Sequence, residues 1–535
     1  VRFLSVALLW LAVLCVAAAA VFRRGRPAIP TLGLRRGRFL LAALPFAVIL
    51  AATLLVALVA PPNTWDSMTY HMARVAHWVY QGSVANYPTE TLRQLYQPPW
   101  AEFAIAQLQV LTGGDHLANL VQWACMVGSA AGVSLIAKEL GAPARGQYLA
   151  AAFAATMPMG ILQATSTQND WVESFWLVCS VVFCLRLRHE PNLEAVTGLA
   201  ASVALAILTK GTAYIYELPV LAVGAWWLFK RYRFGAWRYA ALLAVAVLLI
   251  NAGAWARNVS TFGSVLGPPQ PYTNQVFSAE QLLSNVIRDS SVQLGTPLDP
   301  VNHAINRVVS GAHRVLGIDL NDPRTTWPGV SFNIHTLGTD EDTTPDPLQF
   351  LLILAAVILS VVYARRRPAH GIYAGALLAA FILFAFVLRW QPWHSRLELP
   401  LMVLGAPLAG AAFTNLGPAR ATTAIAGLLF VCAIPWLGGP SIRPLLGPSS
   451  ILVTDRSILY FAARPELRAS YQQAADQARS AGCEVVGIDG GEDTWEYPLW
   501  VYLGPGHRVI PVRPAPGTEH LSQPDPKPCF TFAGA

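Results

Sequence analysis

The sequence predicts an all-α polytopic membrane protein with about twelve transmembrane helices, followed by a small α/β domain outside the membrane at the C-terminal end. Two observations support this prediction. First, apolar residues make up 54% of the 535-residue chain and charged residues only 13%, about half the charged fraction of a soluble domain. The mean hydropathy is accordingly high, at +0.44. Second, runs of about 18–22 apolar residues, each long enough to cross a bilayer as a helix, recur along the first four-fifths of the chain.

The predicted membrane helices divide the chain into three parts. They lie near residues 3–22, 39–60, 116–137, 147–166, 171–187, 193–209, 213–229, 239–256, 348–364, 371–389, 397–414 and 421–438. The first run lacks a small-residue cleavage site and is followed by further spans, so we interpret it as a helix and not as a removed signal peptide. We expect an additional N-terminal helix with an Arg-rich loop (1–38), a transmembrane domain (39–438) and a small α/β domain (451–535).

Basic residues fall in every second loop between the predicted spans. The basic segments are FRRGRPAIPTLGLRRGR, KELGAPAR, RLRHE, KRYRFGAWR, YARRRPAHG and NLGPARA. The positive-inside rule assigns such loops to the cytoplasm, so the loops 61–115 and 257–347 and the C-terminal domain face outward. We therefore expect a multi-pass protein of the cell (plasma or inner) membrane. The net charge of +7 reflects this topology, and the sequence shows no patch typical of nucleic-acid binding.

The outward side holds most of the Trp, Tyr, His and acidic residues that lie outside the spans, whereas the inward loops are short and basic. Outside the cytoplasm there is no pool of ATP or nucleotide sugars. A transfer reaction on this side therefore needs a group that is activated on a lipid carrier or held in an existing polymer.

The stretch PPNTWDSMTYHMARVAHW, residues 61–78, follows the second span directly. Its polar residues recur at three- to four-residue spacing and its apolar residues lie on the other side, as in an amphipathic helix on the outer membrane surface. The polar face of this helix would point up from the lipid or inward over the bundle. The polar residues are Asp66, Tyr70, Arg74 and His77, and the apolar residues are Met68, Met72, Val75 and Val79. Asn63 or Thr64 can cap this helix.

Two interpretations of Asp66 remain open at this point. It lies three residues after Asn63, so it can complete a capping box and stabilise the start of the helix. Alternatively, it is a carboxylate at the mouth of the bundle that accepts a proton from an attacking hydroxyl. That role requires burial or a neighbouring cation to tune its pKa.

Four cations lie at the outward ends of predicted spans, against the positive-inside trend, and therefore need a reason. They are Lys210, Arg257, His394 and Arg396. An arginine can bind a phosphate through two parallel hydrogen bonds and a lysine can meet it as a point charge, so these residues suit a lipid phosphate. The alternative is that each side chain extends to the lipid headgroups.

The composition changes after residue 438. RPELRASYQQAADQARSAG and DTWEYPLWVYL predict helices, while CEVVGI and HRVIPV predict strands, which together form the small α/β domain. Of the seven cysteines, Cys483 and Cys529 alone fall in this domain and can form a disulfide there. The segment GIDGGED matches neither glycine-rich nucleotide fingerprint, so we interpret it as a turn.

The long first outer loop with an Asp just after a membrane helix, the short helices that follow, the many spans and the outward C-terminal domain together resemble the GT-C glycosyltransferases. Within these, the chain is similar to the family 39-like enzymes, which include the protein O-mannosyltransferases and the aminoarabinose transferases that act on lipid A. The segments ARN…FGS…GP and RLELP also resemble the corresponding loop and late-helix arginine of that superfamily. The resemblance covers 39–438 in layout; the helix at 3–22 and the tail domain depart from it.

The resemblance implies a polyprenyl-phosphate sugar donor, an acceptor that is an envelope glycan, lipid or protein, and inverting transfer with Asp66 as the base. Several members have an Asp-Glu pair in the first loop, but Ser67 follows Asp66 here. The resemblance therefore places the second acid at Asp170, with Glu102 and Glu173 as alternatives; Asp170 can also be a helix N-cap. The residues implied for the donor phosphate are Lys210, Arg257, Arg396 and His394, and those for acceptor or loop support are Tyr70, His71, Arg74 and Glu102.

A divalent metal ion is a further expectation that the sequence leaves open. Four histidines, together with the outer acids, can form such a site: His71, His77, His335 and His394. The sequence has no tight ligand spacing such as HExxH. Metal-independent transfer is equally consistent with the sequence, because arginine and lysine can neutralise the departing lipid phosphate.

Two functions of other classes remain as alternatives. A transporter or lipid flippase would show internal repeats, broken helices or ionisable groups at mid-membrane depth. A non-catalytic scaffold of an envelope-synthesis complex would place no constraint on Asp66 or on the outer cations. The clustering of ionisable residues at the outer ends of the spans favours the glycosyltransferase.

Overall fold

The computed structural model describes residues 2–24, 36–189, 192–521 and 527–534. Most of the Arg-rich loop predicted at the end of 1–38 lies outside these residues, as does the end of the RLRHE segment. The first half of the chain contains α1 (Phe3–Arg24), α2 (Arg36–Val59), a π-helical turn (Ser67–His71), α3 (Met72–Gln81), α4 (Arg93–Tyr96), α5 (Trp100–Thr112), α6 (Leu120–Glu139), α7 (Ala144–Thr156), α8 (Pro158–Gln163), α9 (Asp170–His189), α10 (Leu193–Thr209), α11 (Ala213–Tyr232) and α12 (Trp237–Phe262).

The second half contains the long loop, the remaining bundle helices and the small domain. Its helices are α13 (Ala279–Val292), α14 (Asp299–Leu316), α15 (Pro347–Val362), α16 (Pro368–Val387), α17 (His394–Leu397), α18 (Leu399–Leu416), α19 (Ala419–Ala433), α20 (Arg456–Leu459), α21 (Arg468–Ser480) and α22 (Glu496–Leu503). Its strands are β1 (Val485–Asp489), β2 (Arg508–Pro511) and β3 (Phe530–Ala533).

Helices lie at each predicted span, which agrees with a polytopic membrane protein. Among the described residues, six stretches are long and apolar enough to cross a membrane: Leu40–Val59, Leu120–Glu139, Ala213–Phe262, Pro368–Val387, Leu399–Leu416 and Arg420–Gly438. The 50-residue stretch among them contains both α11 and α12 and so covers two predicted spans. Three shorter apolar helices lie at Phe3–Val16, Leu193–Thr209 and Pro347–Val362. The count of about twelve spans stays a prediction.

The predicted span 147–166 consists of two helices and not one. Met157, between α7 and α8, has an extended backbone with a ψ of 123°, because a residue that precedes proline avoids the helical region. Pro158 then begins α8, where its missing N–H costs nothing. The segment 164–169 after α8 leads directly to Asp170 at the start of α9.

The centre of the bundle is α18, in which 83% of the residues are buried. It packs closely on α7, where Gly410 faces Gly146 so directly that a Cβ on either residue would collide with the backbone of the other. Such small residues allow two helices to approach closely in a membrane, where packing replaces the hydrophobic effect between helices. The first residues of α18 follow α17 without a loop, so the buried helix fixes the turn that carries Arg396.

The small C-terminal domain contains a parallel sheet in the order β2-β1-β3. Val485 of β1 pairs with Arg508 of β2, and Val486 of β1 pairs with Phe530 of β3. Cys483 and Cys529, which precede β1 and β3, form the disulfide that the sequence allowed. The two predicted strands are present, while β3, which has only four residues, was not predicted.

The first loop shares a hydrophobic core with the small domain. Met68 and Met72 belong to one cluster with Tyr471 and Trp495 of the C-terminal domain. The predicted orientation in which the polar face of this helix points away from the lipid is therefore wrong, because every residue of 67–78 is buried; the burial agrees with the other predicted orientation, inward over the bundle. The polar positions of this segment face other protein side chains, which the spacing alone could not distinguish from water or headgroups.

Gly410→Val tests the close packing of α18. The new side chain would meet the α7 backbone, so we expect a loss of stability of about 1–3 kcal/mol or more and a lower thermal denaturation midpoint in detergent. Gly375→Val in α16 is the matched control, since a Cβ there meets nothing within 4 Å. Equal midpoints for the two variants would contradict the packing described here.

Candidate active site

The backbone around Asp66 is fixed by its neighbours and not by Asp66 itself. Thr64 Oγ1 accepts a hydrogen bond from the Ser67 N–H at 3.0 Å, so Thr64 is the capping residue. The Asn63 side chain instead donates to the carbonyls of Ile442 and Leu459, both at 2.9 Å. Asp66 makes no side-chain capping bond. Its carboxylate is therefore available to side chains across the bundle.

Arg396 lies among three carboxylates. Its Nη1 donates to Oδ2 of Asp66 at 3.0 Å and to Oδ1 of Asp342 at 2.6 Å, and its Nε lies 4.0 Å from Oδ2 of Asp170. The Arg396 side chain is only 13% exposed and the Asp170 side chain only 1%. Four charged groups from distant parts of the sequence thus meet at one end of the bundle. We call it the loop end, because Asp66 and Asp342 lie there in the long loops 61–115 and 257–347.

Lys210 completes this group. It lies between α10 and α11, and its Nζ donates to Oδ1 of Asp170. Asp170 begins α9, but its carboxylate is directed at Lys210 across the bundle and not at the backbone of its own helix. Oδ2 of Asp170 is buried and has no hydrogen-bond partner among the described residues.

Arg93 belongs to the same group, although the sequence analysis did not identify it. Its Nη1 lies 3.7 Å from Oδ1 of Asp66, and its guanidinium lies over the Tyr70 ring at 4.9 Å from the centroid. Its Nη2 also donates to Asp493 of the small domain. A signal for Arg93 was available in the sequence, because it too is a cation in an outward loop.

The two carboxyl groups that share Arg396 have opposite pKa shifts. Burial alone would raise the pKa of Asp66, but the charges of Arg396, Arg93 and His71 outweigh it, so that pKa lies below its ordinary value. Burial raises the pKa of Asp342 above its ordinary value, although the charge of Arg396 opposes this. Neighbouring acids whose environments separate their pKa values are a usual feature of acid–base sites.

Two buried acids hold the segment that carries Asp342. Glu341 accepts a hydrogen bond from Arg443, and Oδ1 of Asp346 accepts one from the Met159 N–H at 3.1 Å. Burial raises the pKa of each of these carboxyl groups to about 7. Asp342, which was not predicted either, is thus fixed from both sides.

The residues expected to support the first loop form a buried network. Glu102 Oε1 binds His71 Nδ1 at 2.7 Å and Arg74 Nη1 at 3.2 Å. Arg74 also donates to the carbonyls of Arg93 and Gln94. The Tyr70 ring lies beneath the Arg93 guanidinium. Tyr70 and Arg74 therefore contact Arg93 directly, while His71 and Glu102 hold Arg74 and the start of α3 in place.

The structure does not bring two of the predicted phosphate ligands to Asp66. Nδ1 of His394 bonds to Oδ1 of Asp289 at 2.8 Å, and the Arg257 guanidinium lies 6.0 Å from the Phe103 ring centroid. Among the described residues, neither contacts the Asp66 carboxylate. The alternative second acids have other hydrogen-bond partners, since Glu102 binds His71 and Arg74 and Glu173 accepts a hydrogen bond from Thr212 at 2.6 Å.

The four histidines proposed for a metal ion do not form one site. His71 bonds to Glu102 and His77 bonds to Glu496, both at 2.7 Å, as two separate pairs. The described residues contain one group of potential metal ligands, in which His394 is joined by Asp289 and Glu398. No sequence spacing predicted this group, because Asp289 lies more than a hundred residues before the other two.

The fold was compared with solved structures. ArnT from Cupriavidus metallidurans in the apo state matches with a TM-score of 0.52 and 17% identity, covering 90% of this chain and 88% of that chain. ArnT bound to undecaprenyl phosphate matches with a TM-score of 0.51 and 14% identity, covering 90% and 87%. The chain shares the fold of ArnT. At these identities the comparison supports the resemblance stated from the sequence as a likeness of fold alone.

A third structure matches with a lower TM-score. The Archaeoglobus fulgidus oligosaccharyltransferase, tethered to an acceptor peptide, matches with a TM-score of 0.42 and 12% identity, covering 88% of this chain and 64% of that chain. No family model and no curated protein matches the sequence.

Asp346→Asn tests the buried acids beside Asp342 through the pH dependence of stability. An acid whose folded-state pKa is raised stabilises the fold below its unfolded value of about 4 and loses that contribution as the pH rises through about 7. Asparagine keeps the acceptor for Met159 and cannot ionise. We therefore expect the variant to have a higher denaturation midpoint than the native protein at pH 8, with the difference narrowing towards pH 5.

The matched control for this measurement is Asp319→Asn. Asp319 also accepts a backbone N–H, from Asn321 at 3.0 Å, but it is exposed. A pH-independent midpoint difference for Asp346→Asn, or an equal pH dependence in the control, would contradict the assignment of a raised pKa to Asp346.

Proposed function

We propose that this chain is a membrane glycosyltransferase that transfers a sugar from a polyprenyl-phosphate donor to an acceptor outside the cytoplasm. The observation that supports the proposal best is the group of Asp66, Asp170, Lys210 and Arg396 at the loop end of a GT-C fold. One solved ArnT contains undecaprenyl phosphate, and we carry a ligand of that class over to this chain. The acceptor is an envelope glycan, a lipid or a protein.

The cations of the site suit the departing lipid phosphate. Arg396, Lys210 and Arg93 surround the Asp66 and Asp170 carboxylates, so a phosphate placed beside Asp66 lies within reach of three positive groups. Cations held in position stabilise the charge that develops on the phosphate oxygen as the glycosidic bond breaks. Arg257 and His394 remain predicted ligands of the donor phosphate, although neither contacts Asp66, Asp170, Lys210 or Arg396 among the described residues.

Asp66 acts as the base in a single displacement. The acceptor oxygen attacks the anomeric carbon, the bond from that carbon to the phosphate oxygen breaks, and the hydroxyl proton passes to Asp66. The configuration at the anomeric carbon is inverted. The products are the glycosylated acceptor and the polyprenyl phosphate, whose charge Arg396, Lys210 and Arg93 balance.

Donor binding would itself tune the base. The pKa of Asp66 is lowered in the free protein because Arg396 and Arg93 lie beside it. A phosphate that draws either guanidinium away would let the pKa of Asp66 rise towards its ordinary value, and the carboxylate would become a stronger proton acceptor. Asp170 holds Lys210, and Asp342 holds Arg396, so each positions a cation without taking the proton.

The proposal includes the orientation of the chain. The basic loops lie in the cytoplasm, the site and the small domain lie outside the plasma or inner membrane, and about twelve helices span it. The disulfide between Cys483 and Cys529 supports this placement of the small domain, because disulfides persist in oxidising compartments. The domain limits stay as predicted, with residues 39–438 forming the catalytic domain.

Asp66→Asn is the direct test of this function. It removes the proton acceptor while keeping the shape of the side chain, so we expect transfer to fall about 10²–10⁴-fold. Membranes containing the native protein or the variant at equal abundance are supplied with a panel of polyprenyl-phosphate sugars, and glycosylated products are measured by mass spectrometry. The matched control is Asp476→Asn, an exposed carboxylate of the small domain, which should keep full activity.

The possible outcomes distinguish an error in the assignment of the base from an error in the proposed function. A product that depends on the protein and survives Asp66→Asn would contradict the assignment of the base. If no donor gives a product that depends on the native protein, the glycosyltransferase proposal fails, and a transporter, a flippase or a scaffold of an envelope-synthesis complex becomes the better explanation.

A further inference from the structure

A second group of ionisable side chains lies on the other side of the turn that carries Arg396. Asp289 comes from α13, His394 begins α17, and Glu398 immediately precedes α18. The three residues are 0%, 0% and 3% exposed. One nitrogen or oxygen atom of each lies within 4.8 Å of those of the other two.

Each of the three side chains has one atom held by a neighbour and one atom left over. His394 Nδ1 and Asp289 Oδ1 bond to each other at 2.8 Å, and Glu398 Oε2 accepts from the Gln293 amide at 2.8 Å. The remaining atoms, His394 Nε2, Asp289 Oδ2 and Glu398 Oε1, are buried without a hydrogen-bond partner among the described residues. Buried polar atoms normally have partners, so three in one group need an explanation.

Within the described part of the chain, no lysine or arginine donates a hydrogen bond to these three side chains. Arg288, the neighbour of Asp289, directs its guanidinium to the Leu320 carbonyl at 2.9 Å and to Thr326 Oγ1 at 2.8 Å. It donates no hydrogen bond to Asp289, His394 or Glu398 in the described part of the chain. Among the described residues the three side chains therefore have only one another and Gln293 as polar partners, and buried polar atoms left unpaired are costly.

We propose that Asp289, His394 and Glu398 together bind one divalent transition-metal ion, which would take the place of the proton between His394 Nδ1 and Asp289 Oδ1 and use these two atoms and one Glu398 oxygen as its ligands. Imidazole nitrogen and carboxylate oxygen are ligands that Zn²⁺ and similar ions accept, and three protein ligands leave a position for water. An all-oxygen ion such as Mg²⁺ fits this set less well, because it prefers carboxylates, phosphates and water. Gln293 acts as an outer partner that orients Glu398, as is usual around metal ligands.

The ion would act as a positioning element for Arg396. His394 and Glu398 lie at the two ends of one helical turn, and Arg396 lies midway between them on the opposite side. An ion bound to both ends fixes this turn against Asp289 of α13. It would thereby fix the guanidinium that holds Asp66 and Asp342, although the ion itself would not touch substrate. In this proposal His394 binds the ion and not the donor phosphate.

The test measures metal content in the full chain, purified in detergent with an affinity tag that contains no histidine. After dialysis with Zn²⁺ and then against metal-free buffer, we expect one zinc ion per native chain and none in His394→Gln or Glu398→Gln. The control is His313→Gln, since His313 is equally buried but bonds Ser284 and the Val309 carbonyl. This control should keep its zinc.

A second measurement guards against variants that fail to fold. Removing the ion from the native protein with a chelator should lower its thermal denaturation midpoint by several degrees, and Zn²⁺ or Mn²⁺ but not Mg²⁺ should restore it. A native chain that holds no zinc and is insensitive to the chelator would overturn the proposal and leave a shared proton as the explanation. Glu398→Gln with undiminished zinc would also overturn it. Neither the zinc content nor the denaturation midpoint depends on sugar transfer, so the metal-site proposal can fail while the proposed function stands.

Discussion

The loop end depends on the guanidinium of Arg396. Asp66, Asp170 and Asp342 converge on it from three distant segments, with Lys210 and Arg93 as the other cations beside them. Without a positive group among them, carboxylates this close would repel one another and take up protons. The group is largely buried, so water screens that repulsion only weakly. The surrounding structure serves to keep these cations within reach of the three acids.

Several independent elements provide that support. The turn of Arg396 continues into α18, the buried centre of the bundle, so its position follows from helix packing. Arg93 is held by the carbonyl contacts of Arg74, by the ring of Tyr70 and by Asp493 of the small domain. The small domain therefore contributes to the site: its core is continuous with the first loop, and one of its carboxylates contacts a cation of the charged group.

The sequence predicted the part of the site that depends on topology. Asp66, Asp170, Lys210 and Arg396 all stand where predicted spans end on the same side of the membrane, which brings them to one surface of the bundle. The sequence could not predict Asp342, because the folding of a long loop sets its position. His394 carries the same signal as Arg396 but lies two residues away, which on a helix means nearly the opposite side.

The helix bundle was likewise predictable, whereas the burial of 67–78 was not, since an amphipathic pattern does not show what covers its polar face.

The most direct measurement of the role of Arg396 is a double-mutant cycle on thermal stability, using Arg396→Met, Asp342→Asn and the two together. If Arg396 balances converging carboxylates, Arg396→Met lowers the denaturation midpoint because the acids are left facing one another. Neutralising Asp342 in the same chain then restores part of the loss, with a coupling of about 0.5–3 kcal/mol. Losses that simply add, or a midpoint unchanged by Arg396→Met, would contradict the central place given to this guanidinium.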